Sequence, residues 1–310
     1  MRSHPRRRTV GLFSLALLAS PAIVNAAVTA TIDNLNLGGI NTYPLSLTVN
    51  QIGVFMTTPI GSLNTNFASP DTIASGLNPS NTIITQNDDA GTDGVGAGTV
   101  IDTHGSLLRY RATAVGNYSW QVRGFLDAQS GPYIATRTVF EVGVTPGDFT
   151  DTESNNTIAT AQPLALPAGS AKLGFGNLTP GDADVFSIAV QPGDVISAAT
   201  VPLSGLPTNF SSVNTVIEVR DSSGALILTN DDAGFGSDAV GNAPVDPETG
   251  SAFRYLSTTA QTINVNVHGF DANSTGDYAM MISNVHVPEP TGAMTTVLAG
   301  LSMLKRRRAL

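Results

Sequence analysis

The chain has 310 residues and no cysteine, so its fold rests on neither disulfides nor thiolate metal sites. Aromatic residues make up 6% and charged residues 13%, while Gly, Ser, Thr, Asn and Asp are frequent, a mix that suits turn-rich β structure rather than helical bundles. Residues 1–26 and 287–310 hold eight of the 15 Lys and Arg residues; between them seven basic residues face 23 acidic ones, a net charge near −16. Such a body has no electrostatic means of holding nucleic acid or anionic lipid.

Residues 1–26 read as a secretory signal peptide. Arg2, Arg6, Arg7 and Arg8 form a basic start, Val10 to Ala19 is an apolar run too short for a lasting membrane span, and Val24-Asn25-Ala26 offers a cleavage site. The next stretch, 27–145, alternates. Tyr43, Leu45 and Leu47 interleave with Pro44, Ser46 and Thr48, a half-buried strand. Asn78-Pro79-Ser80-Asn81 marks a turn before Ile83-Ile84, and a Gly- and Asp-rich loop runs from Asn87 to Gly98. Strands are expected at Leu107–Ala112, around Tyr118-Ser119-Trp120-Gln121-Val122, and at Arg137–Val142. Trp120, the only tryptophan, sits on the apolar side of its strand and is expected in the core rather than on a sugar-stacking surface.

Residues 146–150 read as a linker to a second stretch, 151–285. Phe186, Ile188 and Val190 form one apolar face, Gln191-Pro192-Gly193-Asp194 a turn, and Ile217 and Val219 point inward beside Glu218 and Arg220. Asp221-Ser222-Ser223-Gly224 is a hairpin turn, Ile263, Val265 and Val267 alternate with polar neighbours, and Gly276-Asp277-Tyr278 leads into Met280–Ile282. The only helical expectation is one turn near Thr157–Ala161.

The two stretches are copies. Shifting the chain by 143 positions lays residues 34–91 over 177–234 without a gap, with about 18 of 58 pairs identical. The pentapeptide Asn87-Asp88-Asp89-Ala90-Gly91 recurs as Asn230-Asp231-Asp232-Ala233-Gly234. At a shift of 145, Gly105-Ser106 and Arg109-Tyr110 meet Gly250-Ser251 and Arg254-Tyr255. The expected fold is all-β: two tandem antiparallel β-sandwiches of jelly-roll type. For the repeated loop (Asn87, Asp88, Asp89; Asn230, Asp231, Asp232) two readings stand, a structural turn or a second cation site. Arg109 and Arg254, in matched strands, are candidates to pair with these loop carboxylates.

Val287-Pro288-Glu289-Pro290, then the mildly apolar Thr291–Leu304, then Lys305-Arg306-Arg307-Arg308 resemble the PEP-CTERM sorting signal of bacterial exported proteins. That resemblance makes 287–310 a signal handled by an exosortase-type enzyme, with membrane contact only in transit. It places the protein at the cell surface or in the extracellular matrix of a Gram-negative-type bacterium.

In the second copy, Glu153-Ser154-Asn155-Asn156, Gly181-Asp182-Ala183-Asp184-Val185-Phe186, Gly193-Asp194, Asn230-Asp231-Asp232 and Gly276-Asp277-Tyr278 resemble the bacterial pre-peptidase C-terminal (PPC) domain. The first copy is a degenerate version. The resemblance implies a non-catalytic sandwich, in some members calcium-binding at its N-terminal edge, in others binding extracellular polymers. Glu153, Asn155, Asn156, Asp182 and Asp184 would supply the oxygens that calcium requires. A solvated acidic stretch is the alternative. In the first copy Asp182 and Asp184 become Gly39 and Asn41, so no such site is expected there.

Enzyme motifs are missing: no His-Glu-x-x-His, no Gly-x-Ser-x-Gly, no phosphate-binding loop. The expectation is a non-catalytic surface or matrix protein with structural calcium. The alternatives are an adhesin for extracellular polysaccharide or protein and, remotely, a hydrolase of unrecognised type.

Overall fold

The computed structural model describes residues 27–63, 67, 69–90, 104–203, 213–233 and 250–288. The signal peptide, Glu289, Pro290 and the remaining tail lie outside the described residues, as do Gly91 and Gly234. Eight strands come from the first copy: β1 Thr29–Leu35, β2 Ile40–Leu47, β3 Ile52–Pro59, β4 Thr72–Leu77, β5 Ile83–Asn87, β6 Leu107–Arg111, β7 Gly116–Gly124 and β8 Gly131–Phe140. Ten come from the second: β9 Phe149–Thr150, β10 Gln162–Pro163, β11 Ser170–Leu178, β12 Ala183–Val190, β13 Asp194–Pro202, β14 Thr215–Arg220, β15 Leu226–Asn230, β16 Ala252–Leu256, β17 Gln261–Gly269 and β18 Gly276–His286. The expected helical turn is a 3₁₀ turn at Ile158–Thr160.

The first copy is a sandwich of two antiparallel sheets ordered β1-β8-β3-β6 and β2-β7-β4-β5. The second repeats this as β11-β18-β13-β16 and β12-β17-β14-β15. Registers coincide at the repeat shift: Thr72 faces Gly124 as Thr215 faces Gly269. The second sandwich carries two additions: β9 pairs parallel outside β11, and β10 parallel outside β12.

Alternation along the strands places the cores. Leu35, Phe55, Trp120, Val122 and Tyr133 fill the first, and Phe186, Ile188, Ile217, Phe253, Ile263 and Val265 are among those filling the second. Fully burying such a side chain contributes about 1.5–3 kcal/mol. Trp120 is core, as its strand pattern requires, stacked on Phe55 at a centroid distance of 5.3 Å. Gly53 makes room for it; a Cβ there would stand 2.9 Å from the indole.

The expected linker 146–150 is only partly a linker. Phe149 and Thr150 already belong to the second sandwich, because Phe149 packs edge-on against Phe186 at 5.4 Å and Gly174 leaves the space its ring needs. The last strand of the first copy also begins earlier than expected, at Gly131.

A third apolar cluster lies between the sandwiches. Ile52, Val54 and Met56 of β3 meet Ala199, Val201 and Leu203 of β13 and the residue after it, joined by Phe140 and Met281. Thr58 and Ser197 hydroxyls bond across at 2.9 Å, and Thr136 and Ser283 at 3.2 Å. The two sandwiches therefore pack sheet against sheet.

Candidate metal centre

The segment leading into the second sandwich runs beside β11 and is tied to it. Asp148 accepts a bond from the Leu173 amide at 2.9 Å, and the Asp151 amide donates to the Phe175 carbonyl at 2.9 Å. Gln162 clamps the same segment, accepting from the Thr152 amide and donating to the Thr150 carbonyl, both at 2.9 Å. This path carries Asp151 and Glu153 to the start of β12.

There, carboxylate oxygens of Asp151, Glu153 and Asp184 all lie within 4.8 Å of one another. Asp184 is 0% exposed. Its Oδ2 accepts the Tyr278 hydroxyl at 2.6 Å, while its Oδ1 is buried with no partner among the described residues. Burial, reinforced by the charges of Asp151, Asp182 and Glu153, pushes the Asp184 carboxyl up to about 8, against the opposing pull of the Tyr278 bond. Glu153, on the exposed rim, is also raised, by desolvation first and then by Asp182 and Asp151. Asn155, 1% exposed, donates from Nδ2 to Asp151 Oδ1 at 2.6 Å and leaves its own Oδ1 buried and unpartnered.

An oxygen set with mutual separations up to 4.8 Å fits around one ion at the 2.3–2.6 Å distances of calcium. Three carboxylates and one orphaned amide oxygen are hard donors, suited to calcium or magnesium rather than to a soft metal. A buried oxygen without a partner costs about 1–3 kcal/mol, and a cation held by these carboxylates would remove that cost at Asp184.

Of the expected ligands, the structure brings Glu153, Asn155 and Asp184 together. Asp182 lies alongside, its carboxylate accepting from the Thr179 amide and hydroxyl and from the Ala183 amide, and its charge acts on both Glu153 and Asp184. Asn156 is exposed, and no described contact ties it to the group. Asp151 is the residue that sequence reasoning missed; its signal was an additional acid two positions before Glu153.

The equivalent place in the first sandwich is built around two tyrosines and an amide, with Asp33 as its one acid among the described residues. Asn41 replaces Asp184 and donates to the Tyr133 hydroxyl at 2.8 Å, Tyr133 being the counterpart of Tyr278. Tyr43, in place of Phe186, meets Tyr133 at 2.5 Å and donates to Asp33 at 2.6 Å.

In the repeated loops the asparagines are structural. Asn87 Oδ1 accepts the Leu107 amide, and Asn230 Oδ1 the Ala252 amide, each at 2.8 Å. Asp88 and Asp89 form a second acidic group with Asp71, with His104 3.9 Å from Asp71. Burial and these acids raise Asp88 to about 6. In the second copy Asn214 stands at the position of Asp71.

The arginines make bonds that the sequence reading does not contain. Arg109 donates to the carbonyls of Thr200, Ala233 and Ser251 in the opposite sandwich, and Arg254 to those of Thr57, Ala90 and Ser106. These bonds cross between copies and end on backbone oxygens. The loop contributes its alanine carbonyl.

No protein family and no curated protein matches the sequence. Among solved structures, the chain is similar to the pre-peptidase C-terminal domain of a collagenase from Bacillus anthracis, at 17% identity over 40% of this chain and 94% of that one, TM-score 0.26. It is also similar to a periplasmic inhibitor of g-type lysozyme from Aeromonas hydrophila, at 11% identity over 40% and 98%, TM-score 0.26. A glycosylasparaginase from Flavobacterium meningosepticum aligns over 85% of this chain and 97% of its own, at 11% identity and TM-score 0.24. Non-catalytic domains and enzymes both occur in this set, and similarity at this level carries no argument about function.

Proposed function

We propose that this chain is an exported, non-catalytic surface or matrix protein with a structural calcium ion in its second sandwich. The reading makes both sandwiches PPC-like and the chain's C-terminus a sorting signal for an exosortase-type enzyme. The observation that carries the calcium reading is the convergence of Asp151, Glu153 and Asp184, where the Asp184 Oδ1 is buried without a partner. Calcium is preferred to magnesium because the donors come from an irregular loop and one strand, and calcium accepts six to eight oxygens in flexible geometry. The ion would fasten the leading segment onto β12, a stabilising role rather than a chemical one.

The test is calorimetric titration of chelator-treated protein with calcium and, separately, magnesium. Binding of one calcium, with a dissociation constant on the order of 10⁻⁴–10⁻³ M as in extracellular modules, is the expected result. No heat and no change in melting temperature with parent protein, or identical titrations for parent and Glu153→Gln/Asp184→Asn, would sink the reading.

A further inference from the structure

The repeated loop and the two arginines play no part in the calcium reading, yet they form a matched pair. Arg109 bonds at 2.9, 2.7 and 3.4 Å to Thr200, Ala233 and Ser251; Arg254 bonds at 2.8, 2.7 and 3.3 Å to Thr57, Ala90 and Ser106. Donors and acceptors are all equivalent under the internal repeat. The acceptors are held in place identically. The Ser106 hydroxyl donates to the Asp88 carbonyl, and the Ser251 hydroxyl to that of Asp231. The Ala90 amide donates to the Gly105 carbonyl, and the Ala233 amide to that of Gly250. Bonds given and received alike define an isologous, twofold interface, here closed within one chain. An apolar patch, Ile52, Val54 and Met56 against Ala199, Val201 and Leu203, lies between the two latches. The turn that joins the sandwiches stays outside it, with Val142 and Val144 exposed.

We propose that this face is a docking surface for another sandwich bearing the same arginine and loop, and that a second copy of this chain can supply it by exchange of halves. Two chains that trade second sandwiches rebuild both arginine latches and both sides of the apolar patch. The connecting turn is then dispensable for docking.

The test uses the whole chain with a protease site inserted between Val142 and Val144, cut after folding. The halves should stay together at micromolar concentration with the Trp120 emission of the uncut protein. When tagged and untagged cut proteins are mixed and incubated, the tagged first half should recover untagged second half. Arg109→Met should weaken the cut complex by about tenfold to a hundredfold, and Arg109→Met/Arg254→Met by more. Should Arg109→Met fail to fold, as Trp120 emission before cutting would reveal, Arg109→Lys carries the comparison, since it keeps the charge and loses the fork. Separation of the halves on cutting, loss of the buried Trp120 signal, no transfer between tagged and untagged protein, or variants that hold as tightly as the parent would each overturn the proposal.

Discussion

The two sandwiches share strand order, register and a buried tyrosine at the same place, and they differ in what that tyrosine meets. In the second, Tyr278 donates to a buried carboxylate that two further acids surround. In the first, Tyr133 sits in a chain from Asn41 to Tyr43 to Asp33 that satisfies each member without a high charge density. One fold thus supports either a closed polar network or a cluster of acidic oxygens. The choice between them is made by few positions, chiefly Asn41 against Asp184 and Tyr43 against Phe186. A second difference reinforces it. Among the described residues, a leading segment formed by β9, the 3₁₀ turn and β10 brings Asp151 and Glu153 within reach in the second sandwich.

The largest effect should come from what the sandwiches have in common. Arg109→Met and Arg254→Met should each destabilise the protein by about 2–4 kcal/mol, since each leaves three buried carbonyls short of a donor. Chemical denaturation of the two variants should give similar losses; a large loss in one and none in the other would break the symmetry. Exchange of the differing residues comes next. Asn41→Asp should cost about 1–3 kcal/mol near neutral pH, because it puts a half-buried carboxylate where an amide donates to the Asn34 carbonyl and the Tyr133 hydroxyl, and calcium should not restore the loss. Asp184→Asn should abolish the calcium response while leaving the metal-free protein as stable as the parent or more so.

Calcium itself should stabilise the parent by about 1.4 kcal/mol at tenfold excess over its dissociation constant, and melting curves with and without chelator measure this directly. The last effect concerns pH without calcium. The Asp184 carboxyl has a folded value raised from 3.8 to about 8, so the folded state holds a proton that the unfolded state releases. Its contribution to stability is complete below about pH 4, the unfolded value, and is lost as pH rises through about 8. The parent should therefore lose stability relative to Asp184→Asn between these limits; parallel pH curves for the two proteins would show that Asp184 does not titrate in this window.

Much of this was legible in the residues. Alternation at Tyr118, Trp120 and Val122, and at Ile263, Val265 and Val267, marks strands because side chains of a strand alternate faces, and a core needs one apolar face. The gathering of Glu153, Asn155 and Asp184 was anticipated through the family resemblance. Asp151 was missed although it opens the second stretch, because nothing local revealed that Gly174 would seat Phe149 and draw the preceding residues onto β11. Asp182 was expected to be a ligand; the structure adds that its carboxylate also holds its own turn, accepting from Thr179 and from the Ala183 amide, a detail of backbone geometry that residue type does not encode.

By itself, the sequence determined the duplication, the all-β architecture and the loss of acids in the first copy, since these depend on periodicity and residue identity. Only the tertiary structure decided that the copies dock sheet to sheet, that Arg109 and Arg254 reach into each other's sandwich, and that Asp184 and Asn155 keep buried oxygens without partners. Those outcomes join residues more than a hundred positions apart or depend on burial from all sides, and neither distance nor burial leaves a local pattern along the chain.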